Sequence, residues 1–453
     1  MRNQEERSII IPPAIELFRD MRILLERTFE LSKRETSIKQ EIVAGCTTFL
    51  AMAYIAIVNP SILSDAGMDF GGVFVATCLA AAIGSLIMGV MANYPIALAP
   101  GMGQNAFFAY TIVIGMGHSW QTALATVFIS GCLFILISML PVRELIINSI
   151  PKNLKHAITS GIGLFLAFIA FQNAALVQDD LSTLVGTADL ASAAPLLALL
   201  GLFLIVALDS RKIPGAIVIG LLTVSLLGWI SGLTPFYGVM DSPPSITPVF
   251  LQLDLEAALD LSMVSIIFSL LLVDLFDATG TIVGIADRSG LINKEGKIYR
   301  LKWALLSDST ATTCGALLGT SPTTGYIESA AGVESGGKTG LSAVTAGLLF
   351  IVCLAFSPLV KSIPSFATSA ALLFVSSLMI KSLRLVDWSD ITEFFPAIML
   401  AIGMPFMFSI SDGIGIGFIS YVSIKLLSGN RQDCSLASYC IAGIFIIKFL
   451  VLD

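Results

Sequence analysis

The stretch Asn93-Tyr94-Pro95-Ile96-Ala97-Leu98-Ala99-Pro100-Gly101-Met102-Gly103-Gln104-Asn105-Ala106-Phe107-Phe108-Ala109-Tyr110 is apolar enough for lipid, yet it cannot wind as one helix. Proline withholds a backbone donor and glycine opens unusual dihedrals, so regular winding fails around Pro95, Pro100, Gly101 and Gly103. A second stretch has the same character: Gly319-Thr320-Ser321-Pro322-Thr323-Thr324-Gly325-Tyr326-Ile327-Glu328-Ser329-Ala330-Ala331-Gly332. At membrane depth, unwound backbone is tolerated only inside protein or beside a cavity. The two breaks therefore predict half-helices starting at Gly103 and Gly325, whose backbone amides face a small polar ligand near the midplane.

Lipid is the right solvent to assume. Of 453 residues, 56% are hydrophobic and 13% charged, where a soluble domain is about one quarter charged. No soluble interior of this size hides such an excess. Apolar segments recur at 42–62, 72–91, 95–116, 120–140, 156–176, 194–208, 214–232, 262–286, 303–318, 320–335, 339–357, 364–380, 392–409 and 412–428, numbered 1 to 14 below. These lengths suit a bilayer. A last stretch, 436–452, either spans or lies in the interface. Residues 1–41 are charged throughout, lack a signal-peptide pattern and contain an amphipathic helix opened by Pro12 and Pro13.

Charge placement tests the map. Eight of the 25 lysines and arginines precede segment 1 and place the N-terminus in the cytoplasm. Alternation then puts Arg143, Lys152, Lys155, Arg211, Lys212, Arg288, Lys294, Lys297, Arg300, Lys302, Lys338, Lys381, Arg384, Lys425 and Arg431 on that same side. The loops assigned outside hold Lys361 alone. A miscounted segment would invert this bias.

The loop 233–261 divides the segments into two blocks of seven. Seven is odd, so the second block starts on the opposite side, an inverted repeat of the kind common in secondary transporters. Tyr54 precedes Asn105 by 51 residues, and Asp277 precedes Glu328 by the same interval. Ile150-Pro151 and Ile363-Pro364 introduce the fifth segment of each half.

Acids inside apolar segments are costly, and function is their default explanation. Asp274 and Asp277, three apart in segment 8, share a helix face, and Glu328 follows the second break. Asp274 reads equally well as a structural tether. An unpaired carboxyl in a low dielectric readily exchanges its proton, so Glu328, Asp277 and Asp274 are the proton-coupling candidates. The two histidines, His118 and His156, lie at segment ends, poorly placed as midplane relays. Carboxylates accept from ring N–H and exocyclic amine groups, while Asn105 and backbone amides answer carbonyl and ring-nitrogen acceptors. That pattern suits a neutral flat heterocycle, with Tyr54, Phe107, Phe108 and Tyr326 as stacking candidates.

Other classes fit less well. No nucleophile–base pair or metal cluster supports an enzyme, a metal or a cofactor. No basic stripe with aromatics supports nucleic acid, and seven cysteines in apolar runs form neither a zinc site nor a disulfide framework. Gly101-x-Gly103-x-x-Ala106 lacks the strand and ribose-binding acid of a dinucleotide fold. An ion channel would favour a continuous pore repeated by oligomeric symmetry. Sodium coupling through Asn59, hydroxyl and carboxylate oxygens stays open.

Several of these motifs carry a resemblance. Thr47-Thr48-Phe49-Leu50-Ala51-Met52-Ala53-Tyr54-Ile55 with Val58-Asn59-Pro60, the run Gly101 to Tyr110, the segment Val273 to Gly280 and the run Thr320 to Gly332 resemble the AzgA-like adenine/guanine/hypoxanthine permeases of the nucleobase–cation symporter 2 family. The likeness extends from about residue 36 to 450. It implies an all-α polytopic membrane protein with a seven-plus-seven transmembrane inverted repeat, the uracil-permease-like fold, whose two broken helices carry short strands. It further implies a proton-coupled purine importer in the cell membrane, often a homodimer. A core domain (42–140 and 262–357) would work against a gate domain (156–232 and 364–428), with 436–453 appended. The family's substrate positions map onto Asn105, Asp277 and Glu328. Asp277 is chosen over Asp274 by the match of Asp277-x-x-Gly280 to the family's acid-x-x-Gly pattern. Guanine and hypoxanthine are the expected substrates, with adenine the alternative.

Overall fold

The computed structural model describes residues 13–140, 151–180, 182–261, 263–293 and 297–452. Arg143, Ile150, Lys294 and the tail through Pro12 lie outside the described residues. Among the described residues, nine helices have the length and hydropathy to cross a membrane, joined by three shorter apolar helices. The chain is an all-α polytopic membrane protein with a seven-plus-seven inverted repeat, and segments 3 and 10 are broken by strands.

Side chains fix where the helices begin. Ser37, Asp69, Ser119, Asp390, Ser409 and Ser435 stand at N-caps and accept from backbone amides of the first turn, which meets part of the donor deficit at a helix start. Segment 1 is two helices, Ile38–Met52 and Ile55–Asp65, that meet at Tyr54. Segment 2 ends at Asn93, which adopts a left-handed φ of 58°, a conformation asparagine tolerates. The Asn93 side chain then donates to Phe29 O (3.0 Å) and accepts from Gly340 N (2.7 Å), tying the amphipathic helix Pro13–Phe29 to segment 11.

In segment 3, strand β1 (Leu98–Pro100) precedes a short helix, Met102–Ala106, and the widened turns of Phe107–Gly115. Segment 5 is followed by a hairpin of β2 (Val177–Asp180) and β3 (Leu184–Thr187). In segment 10, β4 (Thr323–Gly325) precedes the helix Ser329–Glu334. β1 and β4 pair antiparallel in the register Leu98↔Gly325, Ala99↔Thr324, Pro100↔Thr323. Gly101 N to Pro322 O (2.8 Å) and Tyr326 N to Ala97 O (3.0 Å) extend the pairing. The half-helices thus begin at Met102 and Ser329, where Gly103 and Gly325 had been expected. In segment 10 the cause is the ladder, which holds Gly325 in extended backbone and delays the helix.

Packing sorts the segments into two groups. Segments 1–4 pack chiefly on one another and on 8–11, and segments 5–7 on 12–14; contacts between the groups are sparser. At one such contact, a Cβ added to Gly103 would fall 2.2 Å from Ile162 Cγ2 of segment 5. Gly319, at φ 97°, lets the chain pass Val249 of the long loop, whose carbonyl oxygen would lie 2.4 Å from an added Cβ.

The stretch 436–452 is helical over Leu436–Ile447 and returns antiparallel along segment 14. Tyr421 and Lys425 meet Asp433 at one end of the pair, and Lys448 meets Asp412 at the other. Lys425, nearly fully buried, also bonds Glu393 at 2.7 Å. This helix stands outside the seven-plus-seven plan.

Candidate functional site

The paired strands cross the middle of segments 3 and 10, and a cavity of about 440 Å³ lies against them. Its volume falls within the range of roughly 300–1,000 Å³ usual for small-molecule sites. One wall comes from the first packing group: Tyr54, Gly101, Met102, Phe276, Asp277, Thr281, Tyr326 and Glu328. The facing wall comes from segments 5 and 12, with His156, Thr159, Val375, Met379 and Ser382. His156 stands near the start of segment 5 and Ser382 just past the end of segment 12. The mouth therefore opens on the side that carries the N-terminus.

Four residues singled out by the sequence meet on this cavity: Tyr54, Asp277, Tyr326 and Glu328. The Tyr54 hydroxyl donates to Glu328 Oε1 at 2.6 Å, joining the kink of segment 1 to the break of segment 10. The Tyr326 hydroxyl donates to Pro100 O at 2.5 Å and so braces the strand pair. Asp277 is exposed to the cavity.

Asp274, Asn105, Phe107 and Phe108 are buried away from the cavity. Asp274 accepts from Gln104 Nε2 and Thr312 Oγ1, each at 3.0 Å, and so links segments 3, 8 and 9. Asn105 Nδ2 donates to Asn59 Oδ1 at 3.1 Å. Asn59 in turn donates to Thr77 and Thr320, each at 2.8 Å, and accepts from Ser321 at 3.2 Å. The equal intervals in the sequence thus do not place Asn105 and Glu328 alike. Asn105 is the fourth residue of its half-helix, whereas Glu328 stands at the N-cap position of the other, so Asn105 lies about one turn further along its helix axis.

Sequence reasoning overlooked Asp308. Its Oδ1 accepts from Gly325 N at 2.8 Å and from Thr324 Oγ1 at 3.1 Å, anchoring β4 just ahead of Tyr326 and Glu328. The signal was available as an acid inside an apolar segment, but Ser307, Ser309 and Thr310 around it made segment 9 read as merely polar. Replacing Asp308 by alanine is expected to cost about 1–3 kcal/mol, because Gly325 N–H is left buried without its acceptor. A lower melting temperature together with weaker ligand binding would show it; unchanged values of both would refute this anchoring role. His156, set aside as a midplane relay for its place at a segment end, lines the facing wall of the cavity.

Chemically, the cavity offers two carboxyl groups, two tyrosines and an apolar surround, with strand backbone along one wall. It can hold a small, flat, neutral molecule by its edge donors.

Comparison with known proteins agrees with the fold and the motifs. A sequence profile described as permease family matches residues 39–416. The adenine permease AdeP of Escherichia coli is 44% identical over 95% of this chain and 97% of its own length. The guanine/hypoxanthine permease PbuO of Bacillus subtilis is 43% identical over 94% of this chain and 100% of its own. The transmembrane domain of a cyanobacterium bicarbonate transporter, BicA, shares the fold, with a TM-score of 0.59 at 16% identity over 89% of this chain and 97% of that one. The chain therefore belongs to the permease family, in its nucleobase–cation symporter 2 group, among the AzgA-like nucleobase permeases and not among enzymes.

Proposed function

We propose that this chain imports a purine base, guanine or hypoxanthine in the first instance, across the cell membrane together with protons. The reading is carried by Asp277 and Glu328, which share one cavity where the two broken segments meet. Glu328 and Asp277 accept from ring N–H and exocyclic amine groups, Tyr54 orients Glu328, and Tyr326 offers a ring face. Asn105 ties segment 3 to segment 1 through Asn59, and Asp274 holds segment 8 in register through Gln104 and Thr312. Proton exchange falls to Glu328 and Asp277.

Segments 1–4 and 8–11 act as a core that carries the base, and segments 5–7 and 12–14 as a gate that moves against it. With the N-terminus cytoplasmic, the cavity mouth faces the cell interior. A ligand drives the change between states only by discriminating between them. Here the base and its proton would bind the outward state and leave from the inward one.

An adenine preference is the second reading, since adenine permeases and guanine/hypoxanthine permeases match this chain about equally, at 44% and 43% identity. Uptake of labelled hypoxanthine into vesicles, competed by adenine, guanine, xanthine and uracil, separates the two. Proton and sodium gradients are imposed one at a time. Hypoxanthine uptake driven by the proton gradient and blocked by guanine is expected; uptake that follows sodium alone would overturn proton coupling.

A further inference from the structure

On the face opposite the cavity mouth, the two packing groups meet along a narrow seam. Phe408 forms the corner between segments 13 and 14. Its ring lies 6.4 Å from that of Tyr110 in segment 3, and 5.4 and 6.2 Å from those of Phe165 and Phe168 in segment 5. The Tyr110 hydroxyl donates to Asp65 Oδ2 at 2.7 Å, and Asn173 Nδ2 donates to that hydroxyl at 3.4 Å. Beside the corner, the hydroxyls of Ser269 in segment 8 and Ser411 in segment 14 lie 3.0 Å apart, both buried.

We propose that Phe408 against Tyr110, and Ser411 against Ser269, form the gate that seals the site on this second side and parts when a base loads from there. The inference rests on the transport reading above. The aromatic cluster keeps water from the site, and the seam joins one residue group to the other through few bonds. Such a contact separates more readily than the helix pairs within either group. Phe408 also sits at φ 51°, a left-handed conformation that is unfavourable for a side chain with a Cβ. Strain of this kind persists where surrounding contacts hold it, and it gathers at switch regions. The half-buried ring gains those contacts from Tyr110, Phe165 and Phe168, so the corner is set to move as a unit when the ring withdraws.

The test is a Ser269→Cys/Ser411→Cys chain in right-side-out vesicles, with labelled hypoxanthine as the probe. The oxidised wild-type chain, which keeps its own seven cysteines, is the reference. Oxidation of the double variant is expected to cut uptake by about tenfold or more, reversibly on reduction, while hypoxanthine binding to the purified protein stays within about threefold. Full-rate uptake by the cross-linked protein would overturn the gate. Phe408→Ala provides a route that needs no disulfide: steady-state accumulation is expected to fall about fivefold with binding retained, because the seal leaks. An unchanged accumulation ratio would also overturn it. If the reduced wild-type chain bound no purine, the transport reading itself would fail, and the gate with it.

Discussion

Glu328→Gln protein is expected to reach the membrane in normal amounts, to bind purine about 10- to 100-fold more weakly, and to lose concentrative uptake altogether. Glutamine keeps the volume of the side chain, and its carbonyl can still accept from the Tyr54 hydroxyl that now lies 2.6 Å from Oε1. What it cannot do is carry a proton or present a charged acceptor to a ring N–H. A hydrogen bond to a charged group contributes about 1.5–3 kcal/mol, which sets the affinity loss. Gradient-driven accumulation and equilibrium exchange, measured in the same proteoliposomes, separate the two effects: exchange should persist at high purine while accumulation vanishes. Accumulation at the wild-type ratio would remove Glu328 from the coupling step. Tyr54→Phe should be milder, because a neutral donor is lost and Glu328 stays.

The second large effect distinguishes two acids three residues apart on one helix. Asp277 faces the cavity, whereas Asp274 is buried and accepts from Gln104 and Thr312. Asp277→Asn should therefore weaken purine binding by about 10- to 100-fold and leave the melting temperature near that of the wild type. Asp274→Ala should do the converse. Gln104 Nε2 loses its acceptor, at about 1–3 kcal/mol, while the Thr312 hydroxyl keeps Thr323 O at 2.9 Å, and segments 3, 8 and 9 lose a shared tie. Equilibrium binding of labelled hypoxanthine and thermal melting, taken on the same preparations, decide the matter. A reversed pattern would make Asp274 the ligand group and Asp277 the tether.

The sequence reached far because membrane physics leaves few choices. A lipid solvent demands long apolar helices, so the segments could be counted, and the lysines and arginines gave the count an independent check. Pro100, Gly101, Pro322 and Gly325 forbid continuous helices in two of those segments, so the breaks were legible, and a buried acid beside a break marks polar business at that depth. Tyr326 and Glu328 were found this way; Tyr54 entered as a stacking candidate, and Asp277 was preferred to Asp274 through the family resemblance. Local rules could not say which face of a half-helix meets the cavity. Asn105 and Phe107 are buried away from the cavity while Glu328 lines it, because the half-helices start at different distances beyond the paired strands β1 and β4, so equal intervals in the sequence reach places that are not equivalent.

Composition and spacing alone determined the solvent, the two blocks of seven segments, the two interruptions and the acids worth suspecting, since each follows from the energy of placing one stretch of chain in lipid. Only the tertiary structure decided that Asp308 anchors the strand carrying Glu328, that His156 faces the cavity, that the mouth opens on the N-terminal side and that the last helix doubles back along segment 14. Those outcomes depend on contacts between residues far apart in the chain, and their energies belong to the pair and not to either residue.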